Sequence, residues 1–357
     1  MRIAIVGPTY PYKGGGAHHT TELAHRLRAA GHEVVIESWR AQYPSFLYPG
    51  QQTIDAPEGE PYPDTRRMLD WRRPDGWVAC GRRLRGFDLV VLAVLSPVQV
   101  PAYLGILFGL RRKTRVVALC HNVLPHERKP YDRPLMKALL GRVDGVLTHS
   151  EEQAATARGL TTAPVRSAAL APHLPARSAR GAAGAEPYGR LLFFGIVRPY
   201  KGLDLLLHAL AQVQGVGLTV AGEFWGGLEA TKALIAELGL ADRVELRPGY
   251  VAAEDVPGLF AEADALVLPY RSATASQNVW LGHEHGVPVI ATRVGALADN
   301  VEDGVDGLLV EPGSAGALAE AIKRFYEPGV PARLRSGVKP VDPDPFWAVY
   351  LETLLSP

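Results

Sequence analysis

The sequence predicts an α/β protein of two doubly wound domains whose parallel sheets face each other across a cleft. The length of 357 residues corresponds to about two domains of roughly 150 residues each. Short apolar runs that end in glycine or in polar turns alternate with helical patterns, which is typical of parallel βα units. Residues 171–189 interrupt this alternation with a Pro-, Ala-, Gly- and Arg-rich stretch that has no period and is typical of a linker.

The first series of elements begins with RIAIVG (2–7), which reads as a strand rather than as a signal peptide. A helical stretch that Gly31 is placed to end follows, and EVVIES (33–38) reads as the second strand. Residues 40–76 lack a period and are interpreted as an irregular excursion from the sheet. Continuous apolar runs predict further buried strands at FDLVVLAV (87–94), TRVVALC (114–120) and GRVDGVLTHS (141–150).

The second series of elements restarts with RLLFFGIV (190–197), which predicts the first strand of another sheet. Helices are predicted at LDLLLHALAQV (203–213), 226–238, VPGLFAEA (256–263) and VWLGHEHG (279–286). Further strands are predicted at GLTVAG (217–222), RVELRPGYV (243–251), DALVLPY (264–270), PVIATR (288–293) and GLLVEP (307–312). We therefore expect a first domain at 1–175, a second at 176–340 and a final helix in 341–357.

The composition excludes several classes of protein. No apolar run approaches the roughly 20 residues that span a bilayer, and Cys80 and Cys120 are too few for a disulfide scaffold. Two cysteines suit a reducing, cytoplasmic compartment. The net charge of +1 hides a basic first half and an acidic second half. This split is compatible with a basic face toward an anionic partner or with ordinary solvated arginines.

Four loops that follow predicted strands carry residues suited to binding or catalysis, because open α/β sheets bind ligands where their strands end. Gly14–Gly16 can bring backbone N–H groups close to an anion, although a tight turn explains a glycine run equally well. HNVLPHE offers His121, His126 and Glu127 for acid–base work or for contacts with sugar hydroxyls, unless the histidines only cap turns.

The two loops in the second half favour phosphate. GIVRPYKG places Arg198 and Lys201 before a helix, where a guanidinium and an ammonium make a phosphate site. PYRSATASQ offers the hydroxyls of Ser272, Thr274 and Ser276 ahead of another helix.

Other chemistry is not indicated. The motifs G-x-S-x-G, H-E-x-x-H and the Walker sequence are absent. His18-His19 and the pair His283 and His285 are spaced so that their side chains lie on different faces of a helix, which disfavours a metal site. We expect neither a metal nor another cofactor.

In this order, the motifs resemble glycosyltransferase family 4, a retaining family with the GT-B fold of two Rossmann-like domains. The first half contributes the glycine loop, GHEV (31–34) and HNVLPHE (121–127), the last of which is similar to one branch of the family. The second half resembles the family almost throughout, at FFGIVRPYKG (193–202), VAGE (220–223), VELRPGYV (244–251), LVLPYRSAT (266–274), HGVPVIATRVG (285–295) and VEDGVDGLLVEPG (301–313).

The resemblance implies metal-independent transfer of a sugar from a nucleotide-diphosphate donor to an acceptor, with retention. It implies that Arg198 and Lys201 bind the diphosphate, that His121 touches the transferred sugar, and that the helix in 341–357 crosses back to the first domain. His126 and Glu127 are candidate contacts to the sugar or the acceptor. The remaining candidate donor contacts are Gly15, Gly16, Glu223, Gly249, Tyr250, Val251, Ser272, Thr274, Ser276 and Gln277.

The sequence departs from the family where many members carry two glutamates, since those positions are Ala273 and Leu281. No carboxylate nucleophile is evident, which favours substitution on one face of the sugar with electrostatic stabilisation of the leaving diphosphate. The departure also motivates a second hypothesis, a non-catalytic GT-B protein that binds a nucleotide sugar or a partner. A nucleotide-sugar epimerase and a sugar phosphorylase remain as further alternatives.

A basic surface is expected on the first domain. It suits an acceptor carried on a lipid phosphate and peripheral association with the cytoplasmic face of a membrane. Nucleic acid is not expected as a partner, because no aromatic stacking platform accompanies the cations. The residues of this surface are Arg72, Arg73, Arg82, Arg83, Arg85, Arg111, Arg112 and Lys113.

Overall fold

The computed structural model divides the chain into two compact units. It describes residues 1–44, 50–110, 113–125, 127–173, 187–273 and 276–356. The first unit comprises Met1–His173 and Pro343–Pro357, and the second comprises Leu174–Asp342. Both boundaries lie two residues from those expected from the sequence, and the final helix belongs to the first unit.

The first unit is built on a seven-stranded parallel sheet with the strand order β3-β2-β1-β4-β5-β6-β7. The central strands are apolar along almost their whole length because both faces of the sheet are covered. The strands are β1 (Arg2–Val6), β2 (Glu33–Ala41), β3 (Thr65–Asp70), β4 (Leu89–Val94), β5 (Arg115–Cys120), β6 (Gly145–Thr148) and β7 (Val165–Ser167).

The region predicted to be irregular, 40–76, contains the edge strand β3 and the start of a helix, so that prediction was wrong. The strand sequence TRRMLD has three exposed positions, and only Leu69 and Asp70 are buried. An edge strand pairs with a neighbouring strand on one side only and lies at the margin of the core, so few of its side chains need to be apolar. The strand therefore carries no hydrophobic pattern that a sequence reading can detect.

Six helices cover the two faces of the first sheet. Helices α2 to α5 pack on the face whose core contains Cys80, Tyr103 and Met136. Helix α1 and the final helix pack on the other face, with Leu23 and Trp347 in its core. The helices are α1 (Gly15–Ala29), α2 (Pro74–Arg83), α3 (Val100–Gly109), α4 (Asp132–Leu140), α5 (Glu151–Arg158) and, last in the chain, α13 (Pro343–Leu355).

The second unit contains a six-stranded parallel sheet with the order β10-β9-β8-β11-β12-β13. Its strands are β8 (Arg190–Phe194), β9 (Gly217–Gly222), β10 (Val244–Pro248), β11 (Ala265–Leu268), β12 (Val289–Thr292) and β13 (Gly307–Val310). Its helices are α6 (Leu203–Leu210), α7 (Leu228–Glu237), α8 (Val256–Ala261), α9 (Asn278–Glu284), α10 (Ala296–Asp299), α11 (Ala315–Phe325) and α12 (Val330–Gly337). The predicted strands and helices of this half are present, and α10 to α12 are additional.

In both units the strand order reverses direction beside the first strand of the sheet, next to β1 and β8. Such a reversal opens a crevice at the carboxyl ends of the strands, where ligands bind in open α/β sheets. The loops that carry the candidate residues lie at these edges. Among the described residues, no helix is both long and apolar enough to cross a membrane.

Candidate functional site

Lys201 lies in a short 3-10 turn between β8 and α6, at the carboxyl edge of the second sheet. Its ammonium is 5.4 Å from the ring centre of Tyr270, which follows β11. A Cβ on Gly195 would lie 3.4 Å from Lys201 Nζ and 3.6 Å from Asn278 Nδ2. The loops after β8 and β11 and the start of α9 therefore meet around this ammonium.

Burial lowers the pKa of Lys201, and the nearby Arg198 guanidinium lowers it further. Within the described part of the chain, no carboxylate lies within ion-pair distance of Lys201. A desolvated ammonium without a protein counter-ion is costly unless a ligand supplies negative charge. The site is thus suited to an anion.

Arg198 is the second cation of this site. Its guanidinium lies 4.9 Å from the ring centre of Trp225, which follows β9, in cation–π geometry. The indole Nε1 of Trp225 donates to Glu223 Oε2 at 3.5 Å. Glu223, at the end of the VAGE segment, thereby orients the ring that orients Arg198. Nothing in the sequence pattern pointed to Trp225.

Two contacts attach the loop after β11 to the turn that carries Lys201. Arg271 forms a bidentate pair with Asp204, with N–O distances of 2.8 and 2.6 Å, and also donates to Pro199 O. Gly202 lies so close to Pro269 that a Cβ would be 2.1 Å from its carbonyl oxygen. Gly202 also has a φ of 69°, so both its conformation and its surroundings require glycine.

Asn278 connects β8 to the loop after β11 from the first position of α9. Its Nδ2 donates to Phe194 O and to Tyr270 Oη, both at 3.1 Å, and its backbone N–H donates to Ser276 Oγ. Burial raises the pKa of Tyr270 to about 12, so the phenol is neutral and can share these hydrogen bonds. Asn278 therefore ties the start of α9 to the end of β8 and to Tyr270.

The other predicted donor contacts in this unit lie at the same edge of the sheet. Gly249, with a φ of 129°, directly follows β10, and Tyr250 and Val251 come next. Ser272 and Gln277 flank the loop ahead of α9, while Thr274 lies outside the described residues. No described contact joins Gly249–Val251 to Lys201, although β10 is separated from β8 only by β9.

Ala273 and Leu281, where many family members carry glutamate, both belong to apolar packing in the second unit. Ala273 is 7 % exposed, and its carbonyl oxygen would be 1.9 Å from a Cβ on Gly295. Leu281 is half-buried against the same core. Both positions thus contribute to apolar packing instead of presenting a carboxylate.

In the first unit, Gly15 and Gly16 open α1 at the carboxyl edge of the sheet. The preceding Gly14 adopts a φ of 88°, and a Cβ on Gly16 would lie 2.6 Å from the side chain of Leu95. The helix begins without a side-chain cap, so its first N–H groups are available to an anion.

His121 directly follows β5 and belongs to a histidine cluster that comprises His19, His121, His149 and His173. The ring centre of His121 lies 5.0 Å from that of His19 and 4.9 Å from that of His149. His173 lies 5.3 Å from His19. Among the described residues, Nε2 of His19 and Nε2 of His121 are buried without hydrogen-bond partners.

Burial lowers the pKa of every member of the histidine cluster. The pKa falls to about 3 for His149 and to about 4 for His173. The rings are therefore neutral at pH 7, and His121 can act as a hydrogen-bond donor or acceptor but not as a cation. In the part of the chain described, no group of three or more His, Cys, Asp or Glu side chains could hold a metal ion.

Of this cluster, only His121 was predicted from the sequence as a site residue. His18 and His19 indeed point apart, since His18 pairs with Glu58 while His19 is buried. His149 could have been found, because it follows β6 just as His121 follows the neighbouring β5. His126 lies outside the described residues, and Glu127 is exposed, so the described contacts do not bring it to the cluster.

Both units of the chain match models of glycosyltransferase families. Residues 13–167 match the family described as Glycosyltransferase Family 4, and residues 189–328 match Glycosyl transferases group 1. The predicted resemblance to family 4 therefore agrees with the family matched by the first half.

The curated relatives match over part of their length. A D-inositol 3-phosphate glycosyltransferase of Mycobacterium sp. (strain KMS) is 35 % identical over 163 residues, which is 44 % of this chain and 37 % of the relative. The enzyme of the same name from Frankia alni is 34 % identical over 160 residues, which is 41 % of this chain and 39 % of the relative. The matched part thus spans less than half of each relative.

Solved structures share the fold over nearly the whole chain. The sucrose-phosphate synthase of Thermosynechococcus elongatus superposes with a TM-score of 0.71 at 20 % identity, covering 98 % of this chain and 95 % of that one. Anabaena HepE in complex with UDP-glucose gives 0.72 at 17 % identity and covers both chains fully. The predicted GT-B fold with two Rossmann-like domains is confirmed.

Proposed function

We propose that this chain is a retaining, metal-independent glycosyltransferase that moves a hexosyl group from a nucleotide-diphosphate sugar to an acceptor hydroxyl. One observation carries the proposal: the ammonium of the half-buried Lys201 lies near Arg198 at the edge of the second sheet, with no described carboxylate to neutralise it. A diphosphate supplies the missing negative charge. The matches of both units to glycosyltransferase families support the same reaction class.

A uridine nucleotide is the donor that we would test first. HepE, which shares the fold, has been crystallised with UDP and with UDP-glucose. Gly249–Val251, at the end of β10, would lie against the nucleobase, and the hydroxyl of Ser272 and the amide of Gln277 would contact ribose or phosphate oxygens. The open backbone at Gly249 gives a flat base room to approach.

The reaction breaks the bond between the anomeric carbon and the β-phosphate oxygen and forms a bond from that carbon to the acceptor oxygen. The acceptor proton passes to the departing phosphate oxygen on the same face of the sugar. Lys201 and Arg198 stabilise the charge that develops on the diphosphate. His121, held neutral by burial, hydrogen-bonds a sugar hydroxyl and orients the ring.

For the acceptor, we propose a hydroxyl compound that carries phosphate, either free or linked to lipid at the cytoplasmic face of a membrane. The relatives named D-inositol 3-phosphate glycosyltransferase support a phosphorylated acceptor. The two cysteines of the chain are buried free thiols, in keeping with a reducing compartment.

Ala273 and Leu281 favour one alternative, a GT-B protein that binds a nucleotide sugar without turning it over. Both positions are occupied by apolar packing instead of the glutamates of many family members. Close to Leu281 along α9, the side chain of Asn278 donates to Phe194 O and to Tyr270 Oη and holds the Tyr270 ring in place. A protein that only binds the nucleotide sugar needs this support as much as an enzyme does.

Mass spectrometry of the products tests the proposal and separates it from the alternative. The protein is incubated with UDP-hexoses, GDP-hexoses and ADP-glucose, each with inositol phosphate or water as acceptor. We expect one donor to release its nucleoside diphosphate, and Lys201→Met to reduce turnover by about 100-fold or more. Lys232→Met, on an exposed lysine paired with Glu229, is the control and retains turnover. Binding without turnover of any donor contradicts the transferase proposal.

A further inference from the structure

The loop that begins with His121 is held by hydrogen bonds on two sides. The backbone N–H of His121 donates to Val94 O at 2.9 Å, which extends the pairing of β5 with β4 by one residue. Two residues further on, the backbone N–H of Val123 donates to the side-chain oxygen of Gln153 at 2.8 Å. The loop is therefore fixed by β4 at its first residue and by α5 at its third.

The turn between β6 and α5 determines where the Gln153 side chain lies. Thr148, the last residue of β6, pairs with Cys120, the last residue of β5, so the two strands end at the same level of the sheet. The hydroxyl of Ser150 accepts from the backbone N–H of Gln153 at 3.3 Å and caps α5, which begins three residues after the end of β6. The first turn of α5 thus lies beside the loop that follows β5.

Both partners of the hydrogen bond between Val123 and Gln153 are buried. Val123 has no exposed surface, and Gln153 is 7 % exposed. A buried backbone N–H that loses its acceptor is costly, because water does not replace the lost partner. The loop therefore keeps the position that the Gln153 oxygen defines.

His149, at the start of the same turn, contacts the His121 ring directly. Leu119 and Leu147 belong to the core on the face of the sheet that α1 and α13 cover. Because side chains alternate along a strand, the residues two positions later, His121 and His149, lie on that face as well. Their ring centres are 4.9 Å apart, and the rings meet edge to face at 61°. Residues 149–153 thus hold the His121 loop through a ring as well as through an amide.

We propose that Gln153 is a positioning residue for His121. It acts through the backbone, since its hydrogen bond to Val123 fixes the loop and the loop fixes the imidazole against His149. The inference rests on the proposed function, in which His121 hydrogen-bonds a hydroxyl of the transferred sugar. A small displacement of such a contact lowers the rate, because the reacting groups lose their alignment.

Nuclear magnetic resonance of the full chain tests the position of the His121 ring without any substrate. The 11 histidines are labelled with 13C at Cε1, and the signal that His121→Gln removes is that of His121. Gln153→Met keeps the length of the side chain but lacks the amide oxygen, so we expect it to shift this signal. Gln153→Glu, whose carboxylate accepts the same N–H, should return the signal toward its wild-type position.

Thr161→Val is the matched control for general loosening of the fold. The hydroxyl of Thr161 also accepts from a backbone N–H, that of Ala163 at 3.1 Å. Thr161 lies between α5 and β7, at the opposite edge of the parallel sheet, so the His121 signal should stay in place. A signal that does not move in Gln153→Met, or that moves equally in Thr161→Val, would overturn the proposal. Thermal melting confirms that the variants are folded.

Kinetics with an active donor separate this inference from the proposed function. Gln153→Met should lower kcat about tenfold and change the KM for the donor less than about twofold, because the sugar loses alignment while the diphosphate site is unaltered. Thr161→Val should retain the kcat of wild type. An unchanged kcat in Gln153→Met beside a reduced one in His121→Gln would overturn the positioning role. Absence of turnover in wild type would contradict the proposed function instead, and the His121 signal would still decide whether Gln153 positions the ring.

Discussion

At the scale of single residues, the second unit depends on glycines that let loops approach each other. Gly202 ends the turn that carries Lys201 and lies against the carbonyl of Pro269. Gly286, which follows α9, has a φ of 70°, almost equal to the 69° of Gly202, but nothing lies within 4 Å of its Cβ position. The two glycines share one backbone conformation and differ in their surroundings.

Alanine variants of Gly202 and Gly286 therefore distinguish the cost of a strained backbone from the cost of a steric clash. Gly286→Ala should lower the free energy of unfolding by about 1 kcal/mol, the cost of a left-handed alanine. Gly202→Ala adds a steric clash and should cost about 2 kcal/mol more, because the loops around Lys201 must move apart. Urea unfolding of both variants measures the difference. Equal losses would show that Gly202 is not required for the approach of these loops.

The buried histidines determine how the first unit responds to acid. His149 and His173, whose pKa values fall from 6.5 to about 3 and about 4, stay neutral in the folded protein at pH 5. In the unfolded chain they take up protons below about pH 6.5. The unfolded state therefore binds more protons, and the free energy of unfolding falls as the pH falls from 6.5 toward 4.

Replacement of one histidine should reduce this dependence. Between pH 6.5 and 5, His149→Gln should decrease the slope of unfolding free energy against pH by up to about 1.4 kcal/mol per pH unit. His208→Gln, at an exposed position of α6, should leave the slope unchanged. Urea unfolding across this pH range measures both. An unaltered slope in His149→Gln would mean that this ring is protonated in the folded protein.

At the scale of elements, α13 belongs to the core of the first unit although it lies at the other end of the chain. Trp347 is 1 % exposed, stacks on His19 with ring centres 5.4 Å apart, and donates from Nε1 to Pro172 O at 2.9 Å. Arg26 of α1 pairs with Asp344 at the start of the same helix. The helix thus closes the face of the sheet that α1 only partly covers.

Replacement of Trp347 should destabilise the first unit. Trp347→Ala should lower its free energy of unfolding by about 3–5 kcal/mol, through lost burial, a cavity and an unpaired carbonyl. Val349→Ala, at an exposed position of the same helix, should change it by less than about 0.5 kcal/mol. The fluorescence-detected unfolding transition distinguishes them. A small effect of Trp347→Ala would mean that the helix contributes little to the fold.

The sequence allowed prediction of those elements whose pattern depends on burial. Strands such as β4 and β5 are continuously apolar because both faces of the sheet are covered, and this signal is local. The edge strand β3 has no such signal, and neither do the short helices α10 and α12. The final helix could be recognised from sequence, but its place in the first unit was implied only by the family resemblance.

The candidate site could be predicted in part, because some of its residues come directly after strands that the sequence reveals. Arg198, Lys201 and His121 directly follow apolar strands, so their position along the chain indicates their edge of the sheet. The contact of Arg198 with Trp225, the cluster around His19, and the ion pairs that occupy Arg72 and Arg73 depend on side chains distant in sequence. Such pairings follow from the folded structure and not from spacing.

At the scale of the whole molecule, two parallel sheets carry different chemistry at their carboxyl edges. The first unit presents neutral imidazoles and an uncapped helix, which suit hydroxyl groups and phosphate. The second presents Lys201 and Arg198, which suit a diphosphate. Under the proposed function the nucleotide binds the second unit, which presents two cations although its overall composition is acidic.

Calorimetric titration with nucleoside diphosphates tests the anion site around Lys201 most directly. UDP, GDP, ADP and TDP are titrated without metal into wild type, Lys201→Met and the control Lys232→Met. We expect one nucleotide to bind wild type and the control equally, and Lys201→Met to bind it at least tenfold more weakly. Equal binding of that nucleotide to Lys201→Met, or no binding of any of the four to wild type, would contradict the assignment of this site to a diphosphate.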